Sequence, residues 1–182
     1  MKRFVLTGAP GAGKTAIIRQ LERDGFGVVE EAATDVITLA QAHQVAEPWT
    51  QPSFIDDVAR LQRERQLRAS FDRCAVQFHD RSAVCTAALA VYLGFPISSF
   101  LASELERIRR DAIFERRVLF IRNLGFVTAT GARRITLEQT LRFETIHEQT
   151  YRDCGFEPIS VAPGTLMERV ATIKETIRCS ST

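Results

Sequence analysis

Five short apolar runs, at residues 3–7, 27–30, 74–79, 118–122 and 157–162, are separated by longer stretches in which apolar side chains recur every three or four positions. Short β-rich runs alternating with helical periodicity predict a parallel sheet covered by helices, because strands buried on both faces read as continuous apolar segments. The expected fold is α/β, a doubly wound five-stranded parallel sheet flanked by helices. Between the strands, residues 31–44 place Ala32, Val36, Leu39 and Ala40 on one face. Residues 53–71 open on Ser53 as the expected N-cap and turn Phe54, Val58 and Leu61 inward. That second helix becomes polar at Gln62-Arg63-Glu64-Arg65-Gln66, ordinarily a solvated face. Thr136 with Gln139 and Thr165 with Glu168 have capping-box spacing, so helices are expected to start at both places. No repeat or boundary divides residues 1–182, which read as one domain. Residues 123–135 follow the fourth strand without clear periodicity, as a mobile connection or a functional lid would.

The turn after the first strand changes the picture. It reads Gly8-Ala9-Pro10-Gly11-Ala12-Gly13-Lys14-Thr15, followed by Ala16 and a helical stretch. The pattern G-x-x-x-x-G-K-[ST] between a strand and a helix is a Walker A phosphate loop. Its amides form a concave nest at a helix N-terminus, where unpaired donors and the helix dipole favour phosphate oxygens. Lys14 reaches β- and γ-phosphates as a point charge, and the Thr15 hydroxyl is placed to coordinate Mg²⁺.

Composition narrows the setting. With 182 residues, 45% hydrophobic and 25% charged, the chain can bury a continuous core. A net charge of +2 is too mild to argue for nucleic acid or a membrane surface as the main partner. The sequence enters a strand directly, with no leader-like apolar region and no run of the ~20 apolar residues a membrane span needs, so a cytoplasmic location is expected. Cys74, Cys85, Cys154 and Cys179 are scattered without close pairs and read as reduced packing residues, although Cys85 falls near the expected site.

Ligands of open α/β sheets bind outside the carboxyl ends of the strands, which sorts the charges. Arg107, Arg109, Arg110, Arg116 and Arg117 fall at the opposite end and read as solvated or structural. Asp80, Arg81 and Arg122 follow strands at the correct end, and Arg133 and Arg134 lie in the lid segment. Arg81 and one lid arginine are candidates to neutralise a transferring phosphoryl group. Asp80 either organises Mg²⁺ or caps the following helix, and His79 is either a base or, more ordinarily, hydrogen-bonded in place. Glu30 and Glu31 close the second strand; one of them is a candidate base or substrate anchor, unless both simply favour a helix dipole.

Gly8 to Thr15, Val28-Val29-Glu30-Glu31-Ala32-Ala33-Thr34, Phe78-His79-Asp80-Arg81-Ser82 and Gly155 to Thr165 together resemble the AAA-labelled P-loop family that includes the ribosylnicotinamide kinase domain. More distantly the chain is similar to nucleoside and nucleoside-monophosphate kinases. The likeness covers nearly the whole chain, and the phosphate loop is its specific part. It implies a five-stranded kinase-like sheet without the additions of an AAA+ motor. It also implies that Glu31 is the acid after the second strand, that Asp80 and Arg81 are the family's Asp-Arg pair, and that Arg133 and Arg134 supply a lid arginine. The Ala162-Pro163-Gly164-Thr165 turn resembles the loop beside the adenine. The chain departs from its relatives at Val84-Cys85, where many carry a further aspartate, and at Thr34, where arginine is frequent; both fall on the acceptor side.

Two functions fit these residues. In the first, the chain moves the γ-phosphoryl of ATP·Mg²⁺ onto a hydroxyl of a small, nucleoside-like acceptor. Lys14 and the loop bind phosphate, Thr15 and Asp80 hold Mg²⁺, Glu31 is base or anchor, and Arg81 with a lid arginine clamps the phosphates. The region around Trp49, Phe54 and Gln62 walls the acceptor, although Trp49 also suits simple packing on the core edge. In the second, the chain is a nucleotide-dependent switch or slow NTPase acting through a protein partner. The absence of N-K-x-D tilts the base toward adenine.

Overall fold

The computed structural model describes residues 1–124 and 136–178. Strands β1 (Lys2–Thr7), β2 (Gly27–Val29), β3 (Val76–Asp80), β4 (Arg117–Ile121) and β5 (Glu157–Val161) form one sheet in the order β2-β3-β1-β4-β5. All four pairings are parallel, with Leu6 beside Asp80 on one flank of β1 and beside Leu119 on the other. The doubly wound sheet expected from the sequence is present. The third strand begins two residues later than the apolar run suggests and ends on Asp80, so that this carboxylate closes the strand beside the phosphate loop.

Seven helices connect the strands among the described residues: α1 (Lys14–Arg23), α2 (Ala33–Ala42), α3 (Ser53–Ala69), α4 (Ala83–Leu93), α5 (Ser99–Arg110), α6 (Leu137–Asp153) and α7 (Leu166–Arg178). Side chains alternate across each strand, so β1 supplies both cores. Phe4 and Leu6 pack with Ile17, Leu21 and Ile173 of α1 and α7. Val5 points the other way, into a cluster built from α3, α4 and α5 with Tyr151 of α6. Helix α4 is apolar nearly all round, and seven of its residues are buried; such a helix belongs inside the molecule rather than on its surface.

Two helix starts follow the sequence and one does not. Thr136 accepts from the Gln139 amide at 3.1 Å while Gln139 accepts from the Thr136 amide at 2.9 Å, a complete capping box. Thr165 and Glu168 make the same reciprocal exchange ahead of α7. Ser53, expected as an N-cap, is instead the first residue of α3; Pro52 holds the cap position and no side chain caps that end. Proline's fixed φ suits a helix start, so the turn begins before the serine is reached. The segment 123–135, expected as a lid, falls outside the described residues from position 125 on.

Candidate active site

The phosphate loop joins β1 to α1 at the carboxyl edge of the sheet. Gly8 sits at φ 128°, and a Cβ there would collide with the Ile121 carbonyl of the neighbouring strand, so the loop leaves β1 pressed against β4. Gly13 adopts the left-handed φ of 79° immediately before α1, a conformation that glycine adopts without strain. Ala9 and Ala12 are fully buried and anchor the loop from beneath. Pro10, Gly11, Gly13, Lys14 and Thr15 face a cavity of about 1100 Å³, and Ala16 continues α1 on an exposed position.

Lys14 is 6% exposed. Its Nζ donates to the carbonyls of Gly8 and Ala9, each at 2.9 Å, so the ammonium is held against the loop it serves. Burial and then the Arg81 charge bring its pKa down from 10.5 to about 7, against the pull of Asp80, Cys85 and Glu31.

Asp80 and Arg81 line the same cavity as the loop. Asp80 is 7% exposed, and its Oδ1 is buried without a hydrogen-bond partner. Burial raises its pKa, and Lys14 and Arg81 only partly offset this. It does not cap the next helix, since Ser82 occupies that position. Asp80 and Thr15 both border the cavity, and a carboxylate with an unpartnered oxygen beside a hydroxyl is a hard-oxygen set that fits Mg²⁺. No group of three or more His, Cys, Asp or Glu among the described residues could hold a metal ion by itself, so such an ion would depend on phosphate oxygens, as Mg²⁺ commonly does. Arg81 adopts φ 76°, unusual for a side-chain-bearing residue, and its amide donates to Leu6 O at 2.9 Å. That backbone bond locks the residue beside β1. Burial works against the guanidinium charge, but Cys85, Glu31 and Asp80 outweigh it and hold its pKa above the ordinary value.

Both glutamates of the second strand's end border the cavity. Glu30 is committed to a 2.5 Å ion pair with Arg19. Glu31 accepts from the amides of Ala33 and Thr34 at 2.8 and 2.9 Å, fixing the start of α2. Burial raises its pKa, but Arg81 and the Thr34 and Ala33 amides outweigh this and hold it below the ordinary carboxylate value. Glu31 is therefore a helix-start acceptor that also faces the site, and each oxygen keeps a second lone pair for a ligand.

Several candidates take other places. His79 is bonded to Gln77 at 2.9 Å and meets Phe114 edge-on; burial, then Arg3, pushes it down to about 3, so it is held in place as a neutral imidazole. Arg122 is paired with Glu144 and Glu148 of α6, at 3.1 and 2.6 Å, and does not line the large cavity. Arg107 is fastened to the buried Glu104, a structural role as expected, but it borders a small pocket shared with His79, Asp80 and Arg81 and so does not lie at the far end. Pro163 and Gly164 lie exposed between β5 and α7, outside the lining of the large cavity. Arg133 and Arg134 fall outside the described residues.

Beyond the phosphate end the cavity is walled by Trp49, Phe54, Gln62, Leu89, Tyr92 and Phe143. Trp49 packs on the core edge and also lines this space. Gln62 accepts from the Thr86 hydroxyl at 2.7 Å, and its Nε2 is buried with no partner. Part of the polar run on α3 is thus a pocket wall and not a solvated face.

The family model described as an AAA domain matches residues 3–169. The chain belongs to that family. Among solved structures, the AAA-domain chain is similar to a deoxyadenosine kinase from M. mycoides with products dCMP and dCDP, at 12% identity and TM-score 0.64, covering 97% of this chain and 99% of that one. It is also similar to NadR protein in complex with NR, at 16% identity and TM-score 0.68, covering 96% of this chain and 50% of that one. NadR with NAD and AMP-PNP matches at 18% identity and TM-score 0.65, with 100% of this chain and 50% of that one covered. The chain therefore spans half the length of NadR. No curated protein matches its sequence. The family match gives the chain an AAA domain, and the solved structures show that it shares their fold.

Two features of the AAA-domain chain escape the sequence reading. Arg169 of α7 is 4% exposed, donates to Arg122 O at 3.2 Å and lies where a Cβ on Gly13 would meet its Nη1 at 3.1 Å. A buried cation thus backs the phosphate loop from outside. His147 of α6, fully buried, lies 2.8 Å from Cys85 Sγ and 2.9 Å from Thr7 Oγ1. The available signal was a polar residue on an apolar stripe: His147 follows Phe143 by four positions and precedes Tyr151 by four, both of them buried. The arginine likewise interrupts the buried stripe of Val170, Ile173 and Ile177.

Proposed function

We propose that this chain is an ATP-dependent phosphotransferase that delivers a phosphoryl group to a hydroxyl of a small, nucleoside-like acceptor. One observation carries the reading: the phosphate loop, the Asp80-Arg81 pair, Glu31 and an aromatic chamber border a single cavity of about 1100 Å³. That volume is at the upper end of small-molecule sites. Loop and chamber share one space, as a donor and an acceptor of phosphoryl must. A switch has no need of such a chamber, so the transfer reading is preferred to it.

In this reading the loop amides and Lys14 grip the β- and γ-phosphates. Thr15 and Asp80 hold Mg²⁺, which neutralises phosphate charge when bound. Arg81, fixed by its bond to Leu6, faces the transferring group and stabilises charge that grows in the transition state. Glu31 accepts the acceptor's hydroxyl proton or orients that hydroxyl. Trp49, Phe54, Tyr92 and Phe143 offer flat apolar faces to a ring, and the unpartnered Gln62 amide offers a donor to a carbonyl or ring nitrogen. Pro163 and Gly164 are assigned to the adenine side through family resemblance.

The test is a coupled ADP-release screen over nucleosides, cofactor precursors, sugars and aminoglycosides, with Lys14→Ala as the control. ADP release is expected to stay low with ATP·Mg²⁺ alone and to rise with one acceptor class, most of all nucleosides. Acceptor-independent hydrolysis, unchanged across the panel, would replace the transferase with an NTP hydrolase.

A further inference from the structure

Cys85 lies on the first turn of α4, 3% exposed, on the wall of the large cavity. It is surrounded by polar groups from three directions. His147 Nε2 is at 2.8 Å, Thr7 Oγ1 at 3.0 Å, Tyr151 OH at 3.6 Å and Arg81 Nη1 at 3.8 Å. The Tyr151 hydroxyl is itself 2.9 Å from Ser82 Oγ, so Ser82 can donate to Tyr151 while Tyr151 donates to the sulfur. Arg81 can only donate, and the hydroxyls of Thr7 and Tyr151 are free to rotate toward the sulfur. A protonated thiol would add one more proton to a ring of donors; a thiolate accepts from all of them. A packing cysteine in an apolar core has none of this company.

We propose that Cys85 is a covalent modification site, a nucleophilic thiolate on the cavity wall that undergoes exchange with small disulfides, with His147, Thr7, Tyr151 and Arg81 as the groups that hold its charge. The inference stands whether or not the chain transfers phosphate. In the exchange, the Cys85 sulfur attacks one sulfur of the disulfide and an S–S bond forms between them. The original S–S bond breaks, and its electron pair leaves on the other sulfur as a thiolate that takes a proton from water. The protein thiol is oxidised and the small disulfide is reduced. Cys85 lies against Thr7, which leads into the phosphate loop, and against Arg81, so the added group takes up cavity space at the loop end.

The environment gives the reaction a pH signature. Burial opposes ionisation of Cys85, but His147 first, then Arg81 and Thr7, outweigh it and bring the thiol from 9.0 down to about 5. Lys14 and Asp80 are the other charged groups within reach of the sulfur, with opposite signs. A thiol ionised at about pH 6 where an ordinary one is not gains roughly 300-fold in thiolate, and its weaker intrinsic nucleophilicity takes back most of that, leaving about a tenfold advantage.

The experiment uses the full chain with Cys74→Ser, Cys154→Ser and Cys179→Ser, so that Cys85 is the remaining cysteine, and confirms folding by circular dichroism. Iodoacetamide should give one adduct at Cys85 by mass spectrometry, with a rate half-maximal near pH 5. Bis(hydroxyethyl) disulfide should give one mixed disulfide that dithiothreitol reverses. Thiolate ultraviolet absorbance should be lost over the same acid range, and both His147→Gln and Tyr151→Phe should move that range upward. A midpoint at about pH 8 or above, the range of an ordinary thiol, would overturn the proposal. So would adducts that form only after addition of guanidinium, or a low midpoint with no adduct at all.

Discussion

Lys14 shows how one side chain can couple nucleotide binding to protons. In the free protein its pKa is near 7, since burial and Arg81 disfavour its charge. Phosphate oxygens favour the charged form, so above about pH 7 binding must bring a proton with it. ATP affinity is therefore expected to fall as pH rises from about 7 to about 9, by up to tenfold per unit, and calorimetry in buffers of different ionisation heat should show proton uptake. A flat profile would mean that the lysine is already charged before nucleotide arrives. Lys14→Ala should remove the pH dependence and weaken ATP by at least about 1.5–3 kcal/mol, the range for hydrogen bonds to a charged group. Glu31 poses the opposite question, because it holds the α2 amides as well as facing the cavity. Glu31→Gln keeps the size, loses the basicity and gives up one of the two amide bonds at the start of α2. With an acceptor from the screen, turnover is expected to fall roughly 100-fold or more while ATP affinity changes little; equal losses in both would make the residue purely structural.

At the level of elements, capping offers a clean pair of variants. Thr136→Ala removes the hydroxyl that accepts from the Gln139 amide at the start of α6 and should cost about 1 kcal/mol in urea denaturation. Ser53→Ala, at a site where no side chain caps α3, should stay within about 0.5 kcal/mol. A cost at Ser53 as large as that at Thr136 would restore the serine as a cap. The pair also marks what the sequence makes legible. Strands such as β1 and β4 announce themselves because both faces are buried, and the phosphate loop because its glycines and Lys14 are fixed by backbone geometry. Asp80 and Arg81 were placed by the rule that ligands meet strand ends. What stayed hidden was long-range: nothing local to Arg122 foretells that α6 will present Glu144 and Glu148 to it. Nor does any local pattern reveal that Cys85 and His147, 62 positions apart, will touch. Local periodicity predicts which face of a helix is buried, but not which partner that face meets.

At the scale of the whole molecule, the site depends on the sheet as a unit. β1 carries the loop, β3 ends on Asp80 with Arg81 directly after it, and β4 presses against Gly8 through the Ile121 carbonyl. A ligand that grips the loop therefore gains contact with the centre of the fold, and a ligand that binds only the folded state stabilises it by mass action. At about 100 times the dissociation constant this amounts to roughly 2.7 kcal/mol, and for a domain of this size each kcal/mol moves the melting midpoint by about 2–4 °C. ATP·Mg²⁺ is thus expected to raise the midpoint by roughly 5–11 °C in differential scanning calorimetry. Under the proposed assignment of Mg²⁺ to Thr15 and Asp80, chelating the magnesium should reduce the shift. Asp80→Asn separates the two contributions. It retains a carbonyl oxygen but removes the charge, so it should retain a shift with ATP in the presence of chelator and lose the extra increment that magnesium gives. An unchanged magnesium increment in that variant would take the metal away from Asp80, and no ATP-dependent shift in the parent chain would remove the nucleotide site altogether.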